Sequence, residues 1–305
     1  MLPPKNFFPS LIIFHLFPLH SPITFFGLID APFGRFSRKV SRLNLNGNLS
    51  WAIMELVSPI AFLTTIVNSS HPSLNRPSRI LSGLYLAHYA HRAIISPLIL
   101  SPKRSPLHIT VVLAAMLFNL LNGYLLAVGL AFYPPKEIGW QFVLGVIGWT
   151  IGFFGNVYHD EILNDLRRPP TKRIVMSHLP EDGASEKERY KVPRGGLFEW
   201  ISFPNYLCEW LEWACWSFAA NPYPLIAVPA LPYLLRAPEY RDSHTVLSII
   251  SNFYWPSRLL APSWAFVLAE VTSMLPRAVR GHAWYKEKFG NKYPKSRKAV
   301  IPGIL

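Results

Sequence analysis

Polar residues recur at helical spacing inside apolar stretches of the chain. Asn205, Glu209 and Glu212 stand at positions i, i+4 and i+7, so a helix would carry all three on one face. Ionisable side chains inside apolar helices are costly and are candidates for a functional site. For any one of them taken alone, the alternative is a hydrogen bond that holds neighbouring helices together.

Two further stripes have the same character. Their members, four or seven residues apart, are Asn156, Asp160 and Arg167 in one stripe and Arg277, Gly281 and Tyr285 in the other, with His282 beside the second. Amide and carboxylate groups suit ribose and adenine, and guanidinium groups suit phosphates. The three stripes therefore predict a nucleotide-like ligand at the cytosolic end of a helix bundle.

Glu55 and Tyr89 indicate a second kind of chemistry. Glu55 stands four residues after Trp51 near the start of one apolar stretch, and Tyr89 and Arg92 lie in the middle of the next. A neutral buried acid beside a tyrosine hydroxyl can donate two hydrogen bonds to one carbonyl oxygen. This arrangement would be an oxyanion-type site. The alternative is that Glu55 lies at the membrane interface and its carboxyl group is solvated.

The elements that must position these residues are membrane helices. Only 15% of the residues are charged, while 50% are hydrophobic; an ordinary soluble domain is about a quarter charged. Apolar segments run roughly over 11–29, 51–67, 80–100, 110–133, 140–158, 205–220 and 263–275. The sequence therefore predicts an all-α fold, a polytopic membrane bundle of about seven transmembrane helices.

The basic residues set the expected orientation and exclude several functions. Of the 30 Lys and Arg, more than half lie in the segments 167–194 and 277–298, which places both segments and the C-terminus in the cytosol. No zinc-finger spacing or RNA-binding signature accompanies them, so we expect no nucleic-acid partner. The histidines are scattered, so we expect no metal. Cys208 and Cys215 would lie too far apart on one helix for a disulfide.

Four glycines at spacings of three and four residues predict close helix packing. They are Gly145, Gly148, Gly152 and Gly155. A dinucleotide fingerprint would need a strand before it and a helix after it, whereas these glycines all lie within one apolar segment. Small residues at this spacing let two membrane helices approach closely.

Several longer motifs carry a resemblance to a known family. The C-terminal half contains VPRGGLFE at 192–199, NYLCEWLEW at 205–213 and YPKSRKAVIP at 293–302, and shorter matches lie at 31–35, 51–56, 88–92, 122–124 and 156–169. With these motifs the chain resembles the membrane steroid 5α-reductase family (3-oxo-5α-steroid 4-dehydrogenases). The resemblance covers residue 31 to the C-terminus. It implies seven helices in the endoplasmic reticulum membrane, with NADPH near the cytosolic face and hydride transfer to the β-carbon of an α,β-unsaturated ketone.

The resemblance also implies roles for individual residues. The residues expected around NADPH are Asn156, Asp160, Arg167, Asn205, Glu209, Arg277 and Tyr285, with Lys191 as a basic phosphate contact. Glu55 and Tyr89 are expected to hydrogen-bond the carbonyl oxygen of the substrate. Trp51 and Arg92 are expected at the junction of substrate and cofactor.

Some positions depart from the family pattern. Met54 stands where the steroid enzymes usually have Gln, Phe33 stands where they have Tyr, and Gly281 replaces a frequent His. We expect one membrane domain over 1–305, in which 30–221 and 263–305 form the family-like core and 222–262 is an atypical Pro-rich insertion.

The departures leave more than one function open. The main expectation is a monomeric, NADPH-dependent reductase of a lipophilic enone. A trans-2-enoyl-CoA or polyprenol-type reductase of the same superfamily and a non-catalytic membrane protein that retains the fold are the alternatives.

Overall fold

The predicted all-α fold is confirmed. The structure is a computed structural model that describes residues 2–26, 41–68, 74–175, 191–230 and 256–305. The α-helices of these residues are α1 (Phe7–His15), α2 (Ser21–Phe25), α3 (Gly47–Val67), α4 (Arg76–Tyr89), α5 (Ile109–Phe132), α6 (Trp140–Asp165), α7 (Pro204–Ala220) and α8 (Pro262–Phe289). Two antiparallel pairs of short strands complete this part of the chain: β1 (Asn44–Leu45) with β2 (Leu107–His108), and β3 (Leu225–Ala227) with β4 (Arg258–Leu260).

Within the described residues the apolar segments appear as helices, and four of these helical segments are long and apolar enough to cross a membrane. These four are Phe7–Phe25, Gly47–Val67, Ile109–Phe132 and Trp140–Asp165. The other predicted spans correspond to α4 with its continuation, α7 and α8, which carry charged side chains within their length. Two helices run past the predicted ends, α6 from Tyr158 to Asp165 and α8 from Leu275 to Phe289, because polar residues end the apolar signal without ending the helix.

An aromatic core joins the helices away from the polar residues. Trp213 and Trp216 of α7 are each 1% exposed. The Trp213 ring packs edge-on against Phe266 of α8 at a centroid distance of 4.9 Å. The indole Nε1 of Trp216 donates a hydrogen bond of 3.1 Å to the Leu81 carbonyl of α4. This core fixes α7 between α4 and α8.

The four glycines pack α6 against α7, as predicted from their spacing. A Cβ atom at Gly152 would lie 2.5 Å from the backbone nitrogen of Glu212, and one at Gly145 would lie 2.6 Å from the Cβ of Ala219. Side chains at these positions would therefore push the two backbones apart. The close approach holds the acidic face of α7 in a fixed position relative to α6.

The helix that carries Tyr89 and Arg92 changes its pitch between them. The α-helix α4 ends at Tyr89, and a π-helix, Ala90–Leu100, continues it. Pro97 lies inside the π-helix and has no N–H to donate. The Asn48 side chain of α3 donates a hydrogen bond of 2.7 Å to the Pro97 carbonyl, which ties the wider helix to α3. Wide turns of this kind occur frequently at functional sites.

Parts of three sequence predictions lie outside the described residues. These parts are the motif at 31–35 with Phe33, the stretch 176–190 of the basic loop and the stretch 231–255 of the predicted insertion. At the two ends of that insertion, β3 and β4 form a ribbon in which Leu225 pairs with Leu260.

Candidate active site

A cavity of about 490 Å³ lies where the polar helix faces meet. One face of α6 contributes Asp160, Leu163 and Asn164, at the i, i+3 and i+4 positions of a helical stripe, and Arg167 follows in the turn just after the helix. The N-terminal end of α7 adds Asn205. The volume lies within the range of about 300–1,000 Å³ that is common for pockets of small molecules and cofactors.

The facing wall of the cavity comes from α8. Glu270, Ser273, Met274, Arg277 and Arg280 line it and again share one helical face. The remaining wall comes from the N-terminal helices, α3, the π-helix and the segment before α5, and its members include Phe17, His20, Thr24, Trp51, Arg92, Ser96 and Arg104. Five arginines thus surround one cavity, which gives it the character of an anion-binding site.

A hydrogen bond joins two of the predicted cofactor residues. The Asn205 amide nitrogen donates to Oδ1 of Asp160 at 2.9 Å. The amide oxygen of Asn205 is buried and has no hydrogen-bond partner in the described part of the chain. An acceptor in this position can take a hydrogen bond from a bound ligand, because buried polar atoms are rarely left unpaired.

Arg92 connects the cavity to the deeper acidic residues. Its Nη1 lies 3.4 Å from Oε2 of Glu209, and its Nε lies 3.5 Å from Oε1 of Glu55. The guanidinium carbon also lies 5.3 Å from the centre of the Trp51 ring. The family resemblance implies that Trp51 and Arg92 lie at the junction of substrate and cofactor. In the structure both line the cavity, and Arg92 also contacts Glu55. The ion pair between Glu55 and Arg92 is a feature that spacing does not reveal.

Tyr89 lies next to this junction and is 3% exposed. The Asn122 amide nitrogen donates to the Tyr89 oxygen at 3.3 Å, so this hydrogen bond does not use the phenolic proton. Neither Glu55 nor Tyr89 lines the 490 Å³ cavity itself. Glu55 contacts the cavity residue Arg92.

Three other predicted cofactor residues and one neighbouring glycine lie apart from the cavity wall. Asn156 is 6% exposed and one turn deeper in α6 than Asp160. Lys191 is partly exposed and does not line the cavity. Tyr285 stacks on Tyr293, with ring centres 5.5 Å apart, in a separate aromatic cluster of α8 and the C-terminal segment. Gly281 has no Cβ atom, and the ring of Phe203 occupies the space that a side chain at this position would need.

The C-terminal segment is held to the start of α7 by a small polar network. The Ser202 hydroxyl lies 2.6 Å from Nδ1 of His282 and 2.5 Å from the Tyr293 hydroxyl. Burial raises the pKa of Tyr293, so its hydroxyl keeps the proton that this network uses. The network fixes the C-terminal half of α8, which carries Arg277 and Arg280.

Sequence reasoning missed several cavity residues. Glu270 lies inside the predicted span 263–275 and meets the same criterion as Glu209, an acidic residue in an apolar helix, so that criterion would have found it. Arg104 lies in a connection between helices, and its guanidinium carbon is 4.7 Å from the centre of the Trp51 ring. No pattern in the sequence marks that contact.

The residues present fit a phosphorylated dinucleotide. Arg167 lines the cavity next to α6 and Arg277 and Arg280 line the facing wall, while the buried amide oxygen of Asn205 belongs to a side chain that is hydrogen-bonded to Asp160. The guanidinium groups match phosphates, while the amide and carboxylate match ribose and base groups.

Comparison with known proteins identifies the family to which this site belongs. A sequence model of the family described as 3-oxo-5-alpha-steroid 4-dehydrogenase matches residues 105–235 and 249–305. The chain belongs to the 3-oxo-5-alpha-steroid 4-dehydrogenase family. The matched residues include α6, α7 and α8, which carry half of the residues that line the cavity.

Curated relatives of this family cover nearly the whole chain. It is 30% identical to steroid 5-alpha-reductase DET2 of Solanum lycopersicum, over 97% of this chain and 95% of the relative. It is 30% identical to 3-oxo-5-alpha-steroid 4-dehydrogenase 1 of Bos taurus, over 91% and 89% of the two chains. An uncharacterized protein of Schizosaccharomyces pombe is 36% identical over 93% of this chain and 94% of its own.

Proposed function

We propose that this family member is an NADPH-dependent reductase that saturates the C=C bond of an α,β-unsaturated ketone in a lipophilic substrate. The substrate class that we propose is a 3-oxo-Δ4-steroid or a related polycyclic terpenoid, in line with the names of the plant and bovine relatives. The observation that carries the proposal is the position of Arg92, which lines the cavity and contacts both Glu209 and Glu55.

The cavity residues would hold the cofactor. Arg167 and Arg277 would bind phosphate groups, and Asn205 and Asp160 would bind ribose or base groups. Asn156, Lys191, Glu209 and Tyr285 remain proposed cofactor residues on the family resemblance alone. When bound, the reduced nicotinamide supplies the hydride that reaches the β-carbon of the substrate.

Glu55 and Tyr89 would bind the ketone oxygen. The Tyr89 hydroxyl donates one hydrogen bond, since Asn122 already occupies an acceptor position on its oxygen. The Glu55 carboxyl donates a second when it carries a proton. Both donors stabilise the negative charge that grows on the oxygen during hydride transfer, so they lower the barrier more than they strengthen substrate binding.

The setting that we propose is a monomer in the endoplasmic reticulum membrane, with one membrane domain and a cytosolic C-terminus. The support is the pair of basic segments at 167–194 and 277–298, of which the first follows α6 and the second begins within α8 and runs past its end. NADPH would then reach the five arginines from the cytosol.

One comparison of substrates tests the proposal. The purified protein is mixed with NADPH and, in parallel, a 4-en-3-one steroid, a trans-2-enoyl-CoA and a polyprenal. Oxidation of NADPH with formation of the saturated steroid ketone is expected. Reduction of the acyl-CoA or the polyprenal instead would assign the protein to the other reductases of the superfamily, and a protein that binds no NADPH would be a non-catalytic member.

A further inference from the structure

Glu270 is the one carboxyl on the α8 wall of the cavity. Its helical face also carries Ser273, Arg277 and Arg280, so the carboxyl shares the wall that the basic residues form. The proposed function assigns no role to this carboxyl. Its position inside an apolar stretch makes a purely structural role expensive.

Glu270 lies close to the residues that would bind the ketone. Glu270 and Arg92 line the same cavity, and Nε of Arg92 lies 3.5 Å from Oε1 of Glu55. In an enone the α-carbon is bonded directly to the carbonyl carbon. A group that hands a proton to that carbon must therefore lie near the pair that holds the carbonyl oxygen, as Glu270 does.

Glu270 differs from the other acids around Arg92 in its contacts. Glu55 and Glu209 each lie within 3.5 Å of the Arg92 guanidinium, and Asp160 accepts a hydrogen bond from Asn205. Glu270 has no ion pair with the basic side chains of the described residues. Among these acids, Glu270 alone makes no ion pair or hydrogen bond within the described residues, so its carboxyl is available to a bound substrate.

We propose that Glu270 is the acid that protonates the α-carbon of the substrate, an inference that rests on the proposed enone reduction. Hydride adds to the β-carbon, and the electron pair of the C=C bond moves to form an enolate whose charge lies on the oxygen bound by Glu55 and Tyr89. The C=O bond then re-forms, and the α-carbon takes the proton of the Glu270 carboxyl. Glu270 is left as a carboxylate and regains a proton from water, so the enone gains two hydrogens and NADPH is oxidised to NADP⁺.

The reverse of this proton step can be measured without hydride transfer. The purified protein is incubated in D₂O with NADP⁺ and the saturated 3-ketone, and deuterium at the α-carbon is followed by NMR. The wild-type protein is expected to accelerate the exchange of one of the two α-hydrogens, the one on the face of the ketone that the acid reaches. Glu270→Gln keeps the size of the side chain and loses the acid, so exchange is expected to fall about 100-fold, the typical contribution of general acid–base catalysis.

Two controls keep the result specific. Glu287→Gln makes the same chemical change at an exposed position of α8 outside the cavity and is expected to exchange at the wild-type rate. NADPH binding shows whether Glu270→Gln is folded. If that variant fails to bind NADPH, Glu270→Asp and Glu270→Asn are compared instead. Only the aspartate variant keeps an acid, so its exchange rate is expected to exceed that of the asparagine variant.

The outcomes separate this inference from the proposed function. Wild-type NADPH oxidation with the enone, together with α-exchange at the wild-type rate in Glu270→Gln, would overturn the role of Glu270 alone. Equal exchange in the aspartate and asparagine variants would overturn it too. Absence of enone reduction in the wild-type protein would overturn the proposed function, and this inference with it.

Discussion

His88 and Glu212 form a pair in the interior of the bundle. Nδ1 of His88 lies 2.7 Å from Oε1 of Glu212, and the two residues are 5% and 0% exposed. The pair joins α4, just before Tyr89, to α7, just after Glu209. It therefore sets the position of the Tyr89 side of the site relative to the Glu209 side.

Removing one partner of this pair should destabilise the fold. Glu212→Leu leaves the His88 nitrogen unpaired in an apolar interior, at a cost of about 2 kcal/mol. Thermal unfolding in detergent measures the loss. The double variant His88→Leu/Glu212→Leu should cost less than the sum of the single variants, since it leaves no unpaired polar group. Strictly additive losses would show that the two side chains do not interact.

The packing of α6 on α7 should not tolerate a side chain at Gly152. In Gly152→Ala the new Cβ would lie 2.5 Å from the Glu212 backbone nitrogen, so the two helices must separate. Lower thermal stability and weaker NADPH binding are expected, because Asp160 and Asn205 lie on these two helices. Gly83→Ala is the matched control, since nothing lies within 4 Å of its Cβ. Equal effects at the two positions would contradict the packing account.

Arginines of the cavity should determine the affinity for NADPH. Arg277→Gln and Arg167→Gln each remove a guanidinium that lines the cavity. The loss of a charge-assisted hydrogen bond to phosphate is expected to weaken binding about tenfold or more. Fluorescence titration of the purified protein with NADPH gives the affinity. Lys288→Gln, at an exposed position of α8, removes the same charge and should leave the affinity unchanged.

Met54 should not regain a polar contact when it is replaced by the family's glutamine. The side chain is 4% exposed and packs with Leu107 and Val112. Met54→Gln would bury an amide among apolar groups and is expected to lower the thermal unfolding temperature. Met54→Leu, which keeps the volume and apolar character, should have little effect. A Met54→Gln protein that is as stable as the wild type would show that the pocket offers a polar partner.

The sequence predicted those parts of the site that depend on periodicity. Asp160 and Arg167 line the same cavity, as their helical spacing predicted, although α6 ends two residues before Arg167, and the glycines pack α6 on α7 as their spacing predicted. Apolar length predicted the helices, although polar residues hid the true ends of α6 and α8.

The contacts between distant segments could not be read from spacing. Arg92 meets Glu209, which is 117 residues away, and the Tyr89 oxygen meets Asn122, which is 33 residues away. Periodicity places a residue on a face but does not say which face lies opposite. Tyr285 shows the same limit, since its spacing from Arg277 fits one stripe while its ring stacks on Tyr293 outside the cavity.

The central claim is that Glu55 and Tyr89 polarise the ketone of the substrate, and one measurement tests it most directly. The rate of NADPH-dependent saturation of a 4-en-3-one steroid is followed by mass spectrometry for Glu55→Gln and Tyr89→Phe. Each variant is expected to bind NADPH and to lose about 100-fold or more in kcat, the usual cost of removing a donor to a developing oxyanion. Glu287→Gln and Tyr223→Phe, at exposed positions, should keep the wild-type rate. Wild-type rates in both Glu55→Gln and Tyr89→Phe would contradict the claim.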